Sequence, residues 1–257
     1  IAAYCFEPDV KECERLNAQG LAGVRFIPEA LGGKTGLATF YEAKFNASSG
    51  LYRTNEKFFS RLLNSDNATV LGTRTVQTKT LELARLEHDI PAPDFLKLDV
   101  EGAEFDILAA ADLSEAFGVY TEFRFHRCIN GSATFAELDA LMQKRGFMLY
   151  DISVGRQSRK VLPYPGPKMQ WSTGERFYAA TERGQVMDGD ALYLRDPMLF
   201  TMERMQILKA ACLFELFDLK DCAAELLSAR SAEAMVDTAH CLDLLSGGSY
   251  SRYMEAY

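Results

Sequence analysis

Apolar residues fall in short continuous blocks alternating with stretches of helical spacing until about Pro197, after which only helical spacing remains. Phe95, Leu96, Leu98 and Val100 form a block with one charge inside it, which predicts a strand buried on both faces of a parallel sheet. Gly102 lets the chain turn, and Phe105 and Leu108 set a helix over 103–110. Upstream, 1–6 reads as a strand, followed by Asp9 as an N-cap and a helix striped by Val10, Cys13 and Leu16 that ends near Gly20. Strands are also expected at 24–27, 118–123, 147–152 and 191–194, with β-rich segments at 37–41 and 69–78. Helices are expected at 81–87 and through Phe135, Leu138, Leu141 and Met142 up to Gly146. This alternation predicts a doubly wound, mostly parallel α/β sheet.

Two stretches break the pattern. The polar segment 46–67 reads as a long surface excursion able to cover a binding site. Pro163, Pro165, Gly166, Pro167 and the single Trp171 mark an irregular segment suited to a substrate wall or to covering an apolar edge. From Met198 on, Met205, Leu208, Cys212 and Leu216, then Ala223, Leu226 and Leu227, then Met235, Ala239 and Leu242 recur at helical spacing. The organisation expected is therefore a sheet domain at 1–197 and a helical appendage at 198–257. So many Phe, Met and Leu residues in the tail favour a packing surface, and a homodimer through it is one outcome.

Composition narrows the partners. The chain has 257 residues, 48% hydrophobic and 25% charged, enough for one large core. A net charge of -8 argues against a general nucleic-acid binder. The six cysteines form no C-x-x-C pair and no metal spacing, which suits a reduced, cytoplasmic protein. No apolar run approaches the roughly 18 residues of a membrane span.

Candidate chemistry gathers at strand ends. In open α/β sheets ligands bind outside the carboxyl ends of the strands, where Asp99 and Glu101 fall, although both carboxylates would also serve as helix caps. Glu7 ends the first strand, where an acidic residue accepts hydrogen bonds from ribose hydroxyls, or acts as an ordinary helix-start carboxylate. Glu122, Arg124 and His126 bring ionisable groups to the end of the strand at 118–123, and His126 suits a general base as well as a structural role. Asp99, Glu101 and Glu122 offer oxygen donors, but nothing in their spacing requires a metal. Gly32-Gly33-Lys34-Thr35-Gly36 lacks phosphate-loop spacing and reads as a tight turn.

Phe95-Leu96-Lys97-Leu98-Asp99-Val100-Glu101-Gly102-Ala103-Glu104 resembles the signature of the FkbM family of S-adenosylmethionine-dependent methyltransferases, in which a strand ends in K-x-D-V-E-G-x-E. Tyr4-Cys5-Phe6-Glu7-Pro8-Asp9 is similar to that family's second strand, and the resemblance runs roughly from Ile1 to Pro197. It implies a Rossmann-like sheet whose first strand and glycine loop would precede Ile1, and a last strand running antiparallel. It also implies S-adenosylmethionine as cofactor and methyl transfer to a hydroxyl of a sugar, another small metabolite or a glycan. On this reading Glu7 holds the ribose, Glu29 flanks the adenine, Asp99 lies near the methionyl ammonium, and Glu101 or His126 takes the acceptor proton. A nicotinamide oxidoreductase would share the acidic strand end, and a non-catalytic scaffold for the helical tail is the other alternative.

Overall fold

Ala3–Phe6 forms strand β1 and pairs in parallel with β2 (Val24–Ile27), Ala3 opposite Val24 and Phe6 opposite Ile27. The helix between them, α1 (Val10–Asn17), starts at Asp9, whose side chain accepts from the backbone N–H groups of Lys11 and Glu12 and so satisfies donors that a helix start leaves orphaned. Chain order continues through β3 (Ala30–Leu31), β4 (Gly36–Ala43), α2 (Glu56–Phe59), β5 (Val70–Lys79), α3 (Leu81–Glu87), β6 (Phe95–Leu98), α4 (Glu104–Ala110), β7 (Gly118–Arg124), α5 (Phe135–Lys144) and β8 (Met148–Gln157). It ends with β9 (Lys168–Gln170), β10 (Arg176–Tyr178), β11 (Gln185–Leu194), α6 (Arg204–Leu216), α7 (Lys220–Ala229), α8 (Ser231–Ala234) and α9 (Thr238–Leu245). This computed structural model describes residues 1–63, 65–161, 168–170, 176–178, 184–199 and 201–247; Pro163, Pro165, Gly166, Pro167 and Trp171 lie outside them.

The single doubly wound, mostly parallel sheet expected from the element order is realised only in part. Among the described residues the ladders form separate sheets, with parallel pairing confined to β1–β2, β3–β5 and β6–β7. The largest sheet has the order β6-β7-β11-β8 and is mixed. Its topology follows from the connections: α5 carries the chain from β7 past its neighbour position to β8, and β11 returns to fill the slot antiparallel to both. The strand β6 is correspondingly not buried on both faces. Leu96 and Leu98 are buried while Lys97 between them is exposed, the alternation of a sheet-edge strand covered on one side. Strand β8 runs five residues past the apolar block at 147–152, to Gln157, because pairing with β11 holds a segment whose side chains are mostly exposed.

One apolar cluster sits beneath the carboxyl ends of β6 and β7. Leu96, Leu98, Ile107, Leu108, Val119, Phe123, Leu138, Met142 and Tyr193 are buried in it, and Phe6, Leu31, Leu51, Tyr52 and Val100 pack against it. Strands β1, β3 and β6 thus contribute to one cluster although they belong to different ladders.

The chain divides into two units, Ile1–Leu194 and Arg195–Tyr257. Within the second, α6 packs on α7 and α8, and the Arg204 side chain donates to the Ala234 carbonyl at 3.0 Å. Its buried face is Ile207, Ala210, Ala211 and Phe214, an i, i+3, i+4, i+7 set. Met205, Cys212 and Leu216, read from the sequence as the packing stripe, are exposed instead. The buried face thus combines two small alanines with the fully buried Ile207 and Phe214. Phe200 lies outside the described residues, and no described helix is long and apolar enough to cross a membrane. Leu108 is fully buried in the main cluster; Leu108→Ala should lower unfolding free energy by about 2–5 kcal/mol, measured by urea denaturation, and a loss under about 1 kcal/mol would show that the site collapses to fill the cavity.

Candidate functional site

The chain leaves β6 through a turn with unusual backbone angles. Glu101 has φ 54° and Gly102 φ 109°. Glycine adopts such angles freely, but a residue with a Cβ does so at about 1–2 kcal/mol. The buried carboxylate of Glu104, at the start of α4, offsets that by accepting from the Val100 N–H at 3.0 Å and the Gly102 N–H at 2.9 Å. A Cβ on Gly102 would also sit 3.2 Å from the Ile129 side chain.

This turn presents Glu101 to Arg124, which is buried at the end of β7. The Arg124 Nη2 donates to Glu101 Oε2 at 2.7 Å, and its Nη1 pairs with Glu122 Oε1. Carboxylate oxygens of Asp99, Glu101 and Glu122 lie within 4.8 Å of one another. These are oxygen donors of the kind a hard divalent cation accepts, although Arg124 already supplies positive charge there. Burial pushes the Glu101 carboxyl up to about 8 against the opposing pull of Arg124, and Glu122, Glu104 and Asp99 add to the rise. Glu122 is likewise pushed up to about 7, first by burial. Its Oε2 is sealed from solvent without a hydrogen-bond partner, an arrangement that penalises the ionised form. Burial works against the charge of Arg124, but Glu122 and Glu101 more than offset this and raise its pKa.

The segment 46–67 is more than a surface excursion. Gly50 is buried, and a Cβ on it would meet the Glu101 carbonyl oxygen at 3.0 Å and the Glu101 Cβ at 3.1 Å. Two residues on, the Tyr52 hydroxyl donates to Asp106 on α4, and burial with that bond pushes the phenol up to about 12. Thr54 bridges to Ile129, Asn55 N–H donates to the Cys128 carbonyl at 2.8 Å, and Asn130 N–H to the Arg53 carbonyl at 2.8 Å. Residues 50–55 are thus a strap tied across the β6–α4 turn and the loop after β7. Glycine and tyrosine in an aperiodic polar stretch carry no pattern that would have identified them in advance. Arg124 and Glu104 stood in the sequence motifs, but which carboxylates they serve is visible only in the fold.

The other sequence candidates are placed as follows. Glu7 ends β1, where its backbone N–H donates to the Ile27 carbonyl at 2.9 Å and its Oε1 accepts from the Asp9 N–H at 2.8 Å, orienting the carboxylate. Phe6 beside it packs against the main apolar cluster, as Val100 does. Asp99 is exposed, with Lys97 Nζ at 3.2 Å. The Glu29 carboxylate accepts from Lys79 Nζ at 2.6 Å and lies 3.2 Å from His88 Nε2; it fastens the start of β3 to the end of β5 and the end of α3 and is not gathered with the Glu101 group. His126 is not brought to Glu101 either: its Nε2 is 3.0 Å from the Val186 carbonyl, on β11.

An α/β sheet domain with ionisable groups collected at the carboxyl ends of parallel strands is built like an enzyme that binds its ligands there. The chain belongs to the FkbM methyltransferase family: the family model described as Methyltransferase FkbM domain matches residues 3–149, more than half of the chain, including β1, the β6 turn and β7. Membership supports methyltransferase activity. No curated protein and no solved structure matches the chain.

A raised carboxyl pKa makes the folded state hold a proton that the unfolded chain releases near the ordinary glutamate value of about 4.3. The stability contributed by Glu101 is therefore fully present below that value and is lost as pH rises through about 8. The melting temperature of the parent should fall from pH 5 to pH 8.5 more steeply than that of Glu101→Gln; parallel slopes would place the Glu101 pKa near its ordinary value.

Proposed function

We propose that the protein transfers a methyl group from S-adenosylmethionine to a hydroxyl oxygen of a small-molecule or glycan acceptor. The observation that carries this reading is the Glu101–Arg124–Glu122 group at the end of the parallel pair β6–β7, held rigidly by Glu104 below and the 50–55 strap above. The cofactor, when bound, supplies an activated sulfonium methyl for in-line displacement. The protein needs only to align the acceptor and accept its proton.

The residues present suit that cofactor. Glu7, oriented by the Asp9 N–H, would accept from the ribose hydroxyls, and Asp99, exposed beyond β6, offers an anion to the methionyl ammonium. Glu29 is already committed to Lys79 and His88, so any part it plays beside the adenine is through the position of the backbone it fastens. Glu101 is the better proton acceptor of the two candidates. A carboxylate whose pKa lies near ambient pH takes a proton efficiently, whereas His126 Nε2 faces a backbone carbonyl. Arg124 keeps Glu101 in place through the transfer and limits the cost of ionising it. The loops that could enclose an acceptor are polar, consistent with a hydroxylated substrate. A nicotinamide oxidoreductase would use the same acidic strand end, and calorimetric titration with S-adenosylmethionine and with NAD separates the two, since only one should bind.

Glu7→Gln should weaken S-adenosylmethionine binding by about 1.5–3 kcal/mol, the value of hydrogen bonds to a charged group; an unchanged dissociation constant in the folded variant removes Glu7 from the site. With methyl transfer assayed against hydroxylated acceptors, the parent rate should climb with pH as Glu101 ionises through about 8. Glu101→Gln should lower kcat by about 100-fold or more with cofactor affinity nearly intact. Normal turnover in Glu101→Gln together with a large loss in His126→Ala would assign the proton to the histidine.

A further inference from the structure

Where β8 ends, Arg159 is fixed by backbone ties on either side: Leu63 N–H donates to the Ser158 carbonyl, Lys160 N–H to the Arg61 carbonyl, and Leu62 bridges to Arg159 itself. Its Nη2 donates to Gln185 Oε1 at the start of β11. Its Nη1 is shielded from solvent and has no hydrogen-bond partner among the described residues. The amide nitrogen of Gln185 in turn lies 3.0 Å from His126 Nε2, which is 3.0 Å from the Val186 carbonyl.

These groups do not balance. If His126 Nε2 carries a proton for the Val186 carbonyl, the Gln185 amide N–H meets a second donor; if it does not, that carbonyl loses the imidazole as donor. Turning the Gln185 amide over would satisfy His126 but set N–H against the Arg159 N–H. With the imidazole proton on Nδ1 the Gln185 amide and His126 are matched, and the donor left over in either case is the guanidinium edge at Arg159 Nη1. Buried donors are matched in most folded proteins, so a surplus points to a missing acceptor. Next to this group the exposed Arg61 stacks 5.4 Å over the Phe58 ring, which also neighbours His126 at 5.8 Å. A planar guanidinium with a free edge is suited to grip an oxyanion.

We propose that Arg159, Gln185 and His126 form a subsite for an oxyanion, a phosphate or carboxylate group carried by the methyl acceptor. What the anion is attached to rests on the methyl-transfer reading above; that it binds does not. The tie to the Glu101 group is the chain itself, since His126 follows Arg124 by two residues, at most about 7 Å of backbone. The recognised substrate class would then be an anionic hydroxylated compound, such as a sugar phosphate or a hydroxy acid.

The test uses the full chain, with inorganic phosphate and acetate as probes at constant ionic strength and chloride as control, read on the imidazole ring resonances. The His126 signal is assigned with His126→Gln. Phosphate or acetate should shift it saturably while chloride does not, and whichever binds names the oxyanion. Arg159→Gln should weaken binding at least ten-fold. Gln185→Glu, which supplies an internal carboxylate, should abolish binding while holding or raising the melting temperature, and it answers the question if Arg159→Gln does not fold. The proposal is overturned if neither oxyanion moves the His126 signal beyond chloride, if Arg159→Gln binds like the parent, or if Gln185→Glu still binds. S-adenosylmethionine affinity measured on the same samples keeps the two readings apart: its absence alongside intact oxyanion binding would sink methyl transfer and leave the subsite standing.

Discussion

Arg124 lies buried at the end of β7 between the carboxylates of Glu101 and Glu122, with the charges of Asp99 and Glu104 also bearing on them. Two like charges about 4 Å apart repel by roughly 4 kcal/mol at an effective dielectric constant of 20, so such a group would force its members neutral or apart without a cation among them. One guanidinium with two forked edges can hold two carboxylates at once, which an ammonium does less well. The compensation remains incomplete, because burial still raises both glutamates. That residual penalty keeps both carboxyl groups above the ordinary glutamate range.

The same constraint explains the surroundings. Holding Glu101 against Arg124 requires a turn with two consecutive positive φ angles, and such a turn needs support. Glu104 supplies it from α4 by accepting two backbone N–H groups, and the strap at 50–55 supplies it from the other side. Gly50 passes close to the Glu101 backbone, while Tyr52 fastens the strap to Asp106, within the helix that Glu104 begins. A separate set of donors joins Arg159, Gln185 and His126, and of these His126 follows the guanidinium by two residues.

Elements that bury a repeated pattern were legible in the sequence. The strand at β6, the acidic turn after it, the helix from Glu104 and the N-cap at Asp9 follow from apolar blocks, a glycine and capping residues that act over a few positions. The motif around Lys97 to Glu104 pointed to the family, and the family match covers that stretch. Sheet order was less legible, because which strand fills the slot between β7 and β8 depends on connections that periodicity does not encode. In the helical unit the stripe was right for Ala223, Leu226, Leu227 and Leu242, which are buried, but not for α6, where Ile207, Ala210, Ala211 and Phe214 are buried while Met205 and Leu216 are exposed.

The sequence by itself determined the local elements, the candidate carboxylates and the family, since each rests on residues close together in the chain. Only the tertiary structure decided which charges meet. Glu101 and Arg124 are 23 positions apart, Tyr52 and Asp106 are 54, and Gln185 and His126 are 59. Whether such residues touch depends on strand register and loop closure, which are set by burial of the whole core and not by any local pattern. For the same physical reason His126 and Glu101, both candidates for the proton acceptor in the sequence reading, have different partners in the fold.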